Sequence, residues 1–409
     1  MNIYRVYKNK FHFSLNFYSI FLLVTFIPDI IGISPGLITN VLWAAKSATA
    51  VWIIVLYHKK IFILSRVEQL FIFVSSVYFI NLFIDIFWQN YPINMGSSRD
   101  LISFVLSILI ALSFRYDKAF VSRNSYFFFL ISLSVGLFIA FFLSKSSPPP
   151  LVGRFDANST VNSINYGQMG CSLSIISLYG LLNYPFKFSK IIYPALFLLG
   201  VISIMKAGSR SPVVVLSLVI IFYFFAKSGF VKGFILVSSS AIVLFFSIDF
   251  LIELSEAIGS GIVTRLLSAV ETGETSGRDL IYANAIKHFM DSPFFGNYYL
   301  IPSGVGDGGY PHNFFIEAFM TTGVFGGIPF VVMVIIALIK SFTILKIRHK
   351  SGWIILLFVQ IMVFGMFSSS LYSSQDFWAL SFFILSINFS RSDSINSRQN
   401  LISKNVIKF

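Results

Sequence analysis

Runs of about 20 apolar residues recur along nearly the whole chain, each long enough to cross a hydrocarbon layer about 30 Å thick. Twelve can be placed in the 409 residues, near 13–33, 36–57, 69–88, 100–114, 125–144, 166–184, 191–206, 211–226, 233–252, 313–339, 353–369 and 376–390. Lipid cannot serve open backbone, so only helices or closed barrels span it, and a barrel would show segments of about 10 residues with alternating polarity. These runs do not alternate. The expected fold is an all-α integral membrane protein of about 12 transmembrane helices, one polytopic domain over 1–409.

The charge pattern sets the expected orientation. Only 11% of residues are charged, against roughly 25% in a soluble domain. The first run follows Arg5, Lys8 and Lys10, but it is too long for a removable leader and lacks a small-residue cleavage signal, so it is expected to stay as the first helix. A net charge of +13 does not point to nucleic acid, because the basic residues sit in short connections between apolar runs. With the N-terminus in the cytoplasm, 21 of the 30 Lys and Arg fall inside, in groups such as Lys59, Lys60 and Arg66, or Lys340, Lys346, Arg348 and Lys350. The positive-inside rule then places both termini in the cytoplasm. Membrane lipid is an expected partner, and nucleic acid is not.

Two outside segments break the run of short connections: 145–165, with Pro148, Pro149 and Pro150, and 253–312, too long for a plain linker. In the second, Ile262, Leu266, Leu267 and Val270 recur at helical spacing, as do Leu280, Ile281, Ile286, Phe289 and Met290. Two short amphipathic helices lying over the membrane are expected there. A Gly-rich stretch from Gly304 to Gly309 then leads through Tyr310 and Pro311 to His312. Neither a solenoid repeat nor a matched pair of broken spans, as in inverted-repeat transporters, is evident.

Five basic residues on the outside are arginines: Arg99, Arg154, Arg210, Arg265 and Arg278. A guanidinium fork grips phosphate oxygens at roughly 1.5–3 kcal/mol per charge-assisted bond, so a pyrophosphate suits such a group. The plainer alternative pairs Arg154 with Asp156 and Arg278 with Asp279, or anchors the arginines to headgroups. Arg210 fits that alternative least, because it opens a span, where an unpaired charge costs about 2.5–3.5 kcal/mol at depth.

His312, beside Asn313 at a loop–membrane junction, is the candidate general base, with a backbone-satisfied imidazole as the alternative. Asp29, Lys46, Asp85 and Glu317 are ionisable groups in or near apolar spans, and Glu317 lies close enough to His312 in sequence to face the same region. The single Cys171 permits no internal disulfide, and no carboxylate pair or His/Cys cluster has ligand spacing. Metal-independent chemistry without a cofactor is expected.

The stretch PHNFFIEAFMTTGVFGG, Pro311 to Gly327, resembles the signature of the O-antigen polymerase and ligase family: His-Asn, nine residues, then Gly-X-X-Gly, carried by His312, Asn313, Gly323 and Gly326. AGSRSPVVVLSL, around Arg210, and GRDLIYANAIKHFMDSPFFG, from Gly277 to Gly296, resemble the family's two Arg motifs, and Arg154 matches more loosely. The pattern is not met throughout: Arg-X-X-X-Leu meets Val214 after Arg210, and Arg-X10-Gly meets Asn165 after Arg154 and Ile221 after Arg210.

The resemblance implies a GT-C-like glycosyltransferase of the bacterial inner (cytoplasmic) membrane. It would act in the periplasm, where 145–165 and 253–312 would lie, on a glycan carried by undecaprenyl diphosphate. It implies His312, Arg210 and Arg278 as catalytic residues and Arg154, Arg265, Asn313 and Glu317 as substrate-binding ones, with no metal. The stretch from Tyr310 to Glu317 resembles polymerases, which join one lipid-linked repeat unit to another. A ligase using lipid A-core as acceptor is the second reading and a polytopic transporter the third. A chain-length regulator protein as partner is left open.

Overall fold

The computed structural model describes most residues between 64 and 387, except 89–97, 115–122, 144–153, 158–160, 247, 258, 273–276 and 348–350, together with scattered residues between 41 and 55. The expected span 13–33 lies outside the described residues, and 36–57 is described only in part, with residues such as Ala50 and Trp52 helical. Among the described residues every regular element is an α-helix. In chain order these are α1 (Arg66–Trp88), α2 (Ser98–Phe114), α3 (Arg123–Phe142), α4 (Ser163–Asn183), α5 (Ser189–Ala207), α6 (Arg210–Ser228), α7 (Phe230–Phe246), α8 (Ile248–Ala257), α9 (Ile262–Thr272), α10 (Arg278–Asp291), α11 (Phe314–Lys346), α12 (Gly352–Phe364) and α13 (Gln375–Ser386).

Five of these, α1, α3, α5, α6 and α11, are both long and apolar enough to cross a bilayer. Their outer faces carry exposed large apolar side chains, for example Ile80, Phe83 and Phe87 on α1 and Ile131, Val135 and Phe138 on α3. Stripes of this extent are what lipid covers. The chain is therefore an all-α membrane protein. The expected span 233–252 is divided here between α7 and α8.

Close packing inside the bundle depends on small residues. On α4 and α5, a Cβ added at Gly170 would stand 2.7 Å from the Gly200 carbonyl oxygen, and one at Gly200 2.6 Å from that of Gly170. The two backbones approach as membrane helices do where glycine removes the side chain. Between α4 and α12 a polar lock replaces apolar packing. Gln360 donates to the Gln168 backbone carbonyl at 2.9 Å, and Ser172 donates to Gln360 Oε1 at 3.0 Å. An aromatic cluster of Phe71, Tyr78, Phe104, Phe377 and Trp378 ties α1 and α2 to α13.

The expected amphipathic helices are present as α9 and α10, and their apolar faces are used differently. Ile262 and Val263 of α9 are buried, with Leu266 and Leu267 packed on the same core, whereas Leu280, Ile286 and Met290 of α10 are exposed. The expected span 313–339 is also not one straight helix. α11 is broken at Gly323, where φ is 60° and ψ is −162°. Glu317 and Gly326, about 13.5 Å apart along an unbroken helix, both meet one turn of α1. Glu317 bonds Tyr78, and a Cβ on Gly326 would lie 3.0 Å from Val77.

Candidate active site

The N-terminal end of α11 builds the site. His312 has φ of 57°, the positive-φ non-glycine residue among those described, and its buried Nδ1 has no hydrogen-bond partner. A left-handed backbone at a residue with a Cβ is strained, and an unpaired buried nitrogen is costly; both concentrate at functional sites. Burial, and after it the Arg278 charge, hold the imidazole below its ordinary pKa, which keeps it neutral and able to accept a proton. The Tyr310 ring lies beside it, tilted by 56° with ring centroids 4.3 Å apart.

Arg278 opens α10 and donates to the Ser368 hydroxyl at 2.9 Å. Its guanidinium is held below the ordinary arginine range mainly by burial. Arg210 and Arg154 are near enough to push in the same direction, against Tyr282 and Tyr310. Arg278 thus stands beside His312, with Arg210 and Arg154, from separate parts of the sequence, close enough for their charges to act on Arg278. Mutual repulsion in a half-buried setting is what a bound polyanion would relieve. Arg154 has a buried Nε with no hydrogen-bond partner, and the suggested acid Asp156 accepts the backbone N–H of Ser163 at 2.5 Å.

The other expected residues hold this arrangement together. Arg265 on α9 donates to the Gly208 carbonyl at 2.9 Å, and Arg210 donates to the Arg265 carbonyl at 3.3 Å. This clasp fixes the turn from α5 to α6. Gly208 there is the left-handed C-cap of α5, with φ of 65°, which ends one helix so that Arg210 can begin the next. Asn313 is the N-cap of α11: its side-chain oxygen accepts from Phe315 N at 2.9 Å, while its Nδ2 donates to the Met366 carbonyl at 3.2 Å. Glu317 is fully buried beneath the site, with its carboxylate bound to Tyr78 and to the backbone of Leu371. Asn313 and Glu317 therefore have their polar atoms occupied inside the protein.

Two contributors were not legible in the sequence. The connection between α12 and α13, Gly365 to Ser374, is the hub on which the site is assembled. Gly365 O accepts from Phe314 N at 2.9 Å, Met366 O from Tyr282 at 3.3 Å, and Ser368 from Arg278. Lys206, at the end of α5, donates to the Phe141 carbonyl at 2.9 Å and lies 4.1 Å from the centre of the Phe155 ring. A cation over an aromatic face pins the segment that carries Arg154. The serine-rich wording of 368–374 and a basic residue four positions before Arg210 were the available signals.

Among the described residues no group of three His, Cys, Asp or Glu could hold a metal ion. The charged groups gathered around His312 and Arg278 are basic, with Tyr282 and Tyr310 flanking Arg278.

Residues 195–331 match the family model described as O-Antigen ligase. This segment is similar to that family. The O-antigen ligase match runs from within α5 to within α11, so it takes in Arg210, Arg265, Arg278, His312, Asn313, Glu317, Gly323 and Gly326. Arg154 and the Gly365–Ser374 hub lie outside it. No curated protein and no solved structure gives a significant match to the chain. The match supports a membrane enzyme of the O-antigen ligase and polymerase type, acting in lipopolysaccharide synthesis on lipid-linked oligosaccharide.

Proposed function

We propose that the protein is an O-antigen polymerase, a metal-independent inverting glycosyltransferase that works at the periplasmic face of the bacterial inner membrane. In this reading the donor is a glycan chain on undecaprenyl diphosphate and the acceptor is the non-reducing end of another lipid-linked repeat unit. The observation that carries the reading is Arg278 beside His312, whose Nδ1 is unpaired, with Arg210 and Arg154 near enough to act on the Arg278 charge.

The acceptor hydroxyl oxygen attacks the anomeric carbon as the bond from that carbon to the diphosphate oxygen breaks. The diphosphate leaves with the electron pair, and the hydroxyl proton passes to the His312 imidazole. One displacement inverts the anomeric configuration. A diphosphate leaves without a general acid, so the arginines supply the larger share by stabilising the charge that develops on it. The base adds about 10²–10⁴-fold. Arg265, Asn313 and Glu317 hold the frame, and Arg154, Arg210 and Arg278 hold the leaving group.

The family model is described as O-Antigen ligase and takes in the same site, so ligation of the same donor to lipid A-core is the second reading. The lipopolysaccharide ladder of a null strain, complemented with wild-type, His312→Ala or Arg278→Ala protein at checked expression, separates the two. Core bearing one repeat unit in the null identifies a polymerase. Bare core with polymer accumulating on the lipid carrier identifies a ligase. Full rescue by both variants removes the proposed site, and activity without any diphosphate-linked donor would point to a transporter.

A further inference from the structure

The turn that follows α10 has apolar side chains where a water-facing loop would have polar ones. Phe294 is 71% exposed and Phe295 64%, and the exposed Leu280, Ile286 and Met290 extend the same surface back along α10. The Phe295 ring lies 5.6 Å from that of Phe325, which lies 5.6 Å from Phe73 of α1. Phe325 also begins a stripe of exposed residues on α11, continued by Ile328, Val332, Ile335 and Ile339 at alternating spacings of three and four. The apolar surface of the turn is therefore continuous with the face that two membrane-crossing helices turn to lipid.

The backbone of the turn is provided for as well. At the break in α11 the N–H groups of Val324 and Phe325 cannot reach helical partners. They donate instead to the carbonyls of Pro293 at 2.8 Å and Phe294 at 3.0 Å. Asn297 N donates to the Met320 carbonyl at 3.1 Å on the other side of the break, and Gly296 N to Ser292 O at 2.9 Å. Irregular backbone is tolerated at membrane depth where protein satisfies it in this way. Two polar groups lie nearby: Asp291, which is exposed and lies 3.6 Å from His288, and Lys287, whose long stem allows its charge to snorkel.

We propose that Pro293–Gly296 is a re-entrant wedge that enters the hydrocarbon edge of the bilayer at the α11 break, with the exposed face of α10 lying along the lipid interface. The segment that sequence places in an outside loop is thereby part of the membrane-embedded surface, and it anchors the helix that begins with Arg278. The inference rests on the membrane character of the chain and not on the transferase reading.

The test is nitroxide accessibility in a Cys171→Ala background, reconstituted in vesicles of phosphatidylethanolamine and phosphatidylglycerol. Phe294→Cys and Phe295→Cys are each spin-labelled and compared with Ile335→Cys on the lipid face of α11 and Val305→Cys on the exposed Gly-rich loop. Power saturation with oxygen and with a water-soluble nickel chelate reports the environment, and folding is checked by elution and helical signal. The expected result is that labels at 294 and 295 group with 335, open to oxygen and closed to nickel. Grouping with 305 overturns the proposal, as does protection from both relaxants, which would mean that protein, such as a second copy of the chain, covers the turn. If either Phe variant fails to fold, Met290→Cys carries the same test one turn earlier on α10.

Discussion

Glu317 holds the Leu371 N–H between its two carboxylate oxygens, at 2.9 and 3.0 Å, while Tyr78 donates to Oε1 at 2.6 Å. One buried side chain thus ties α11 to α1 and to the hub that receives Arg278. Each buried donor left without its acceptor costs about 1–3 kcal/mol. Glu317→Ala should lower the unfolding midpoint in detergent and reduce transfer, and Glu317→Gln, which keeps one acceptor, should do so less. A Glu317→Ala protein that melts with the wild type would remove this account.

His312 gives the pH prediction. Its imidazole titrates below the ordinary value of ~6.5 because burial, then Arg278, disfavours the charged form. A base must be neutral, so the acidic limb of the transfer rate should lie below that value, with activity lost only as pH falls through the lowered pKa. Arg278→Gln removes a positive neighbour and should move the limb of the residual activity upward. A limb that stays in place or moves down in this variant would show that the Arg278 charge does not act on His312.

Arg210 and Arg154 separate charge from shape. If they hold a diphosphate in forked contact, Lys keeps the charge but loses the fork. Arg210→Lys and Arg154→Lys should each raise the donor KM, and the Ala variants should also lower turnover, by the equivalent of about 1.5–3 kcal/mol for a charged hydrogen bond. Steady-state kinetics with a synthetic lipid-diphosphate donor measures both. Loss of folding in Arg210→Ala with activity intact in Arg154→Ala would assign these residues to structure alone.

The helical architecture was legible because lipid leaves a long apolar run one regular option, and ten of the twelve expected spans fall on described helices. The chemistry-bearing positions Arg210, Arg278 and His312 stood out for a related reason, as charged or titratable groups at the ends of such runs. What sequence could not supply was pairing. Nothing in Ser368 or Met366 by itself says that a connection over 50 residues from Asn313 receives Arg278, Tyr282 and Asn313. The division of His-Asn into a strained site residue and a helix cap is likewise invisible until φ at 312 and the acceptors of Asn313 are seen. Gly323 read as part of a motif, and its reason is a backbone angle.

That angle yields the sharpest stability prediction. At φ 60° and ψ −162° only glycine sits without strain, and a Cβ there would stand 2.3 Å from the Phe294 carbonyl carbon. Alanine therefore carries a backbone penalty of about 1–3 kcal/mol and must also push the docked turn away, which strands the Val324 and Phe325 N–H groups. Gly323→Ala should lose transfer activity and unfold at lower temperature. Gly277→Ala has left-handed φ of 73° but open space around the added carbon, so it should show only the milder effect of strain. Thermal unfolding of the two variants side by side distinguishes a docking requirement from a conformational one: equal losses would mean that backbone conformation, and not the seat for Phe294, is what the motif glycine preserves.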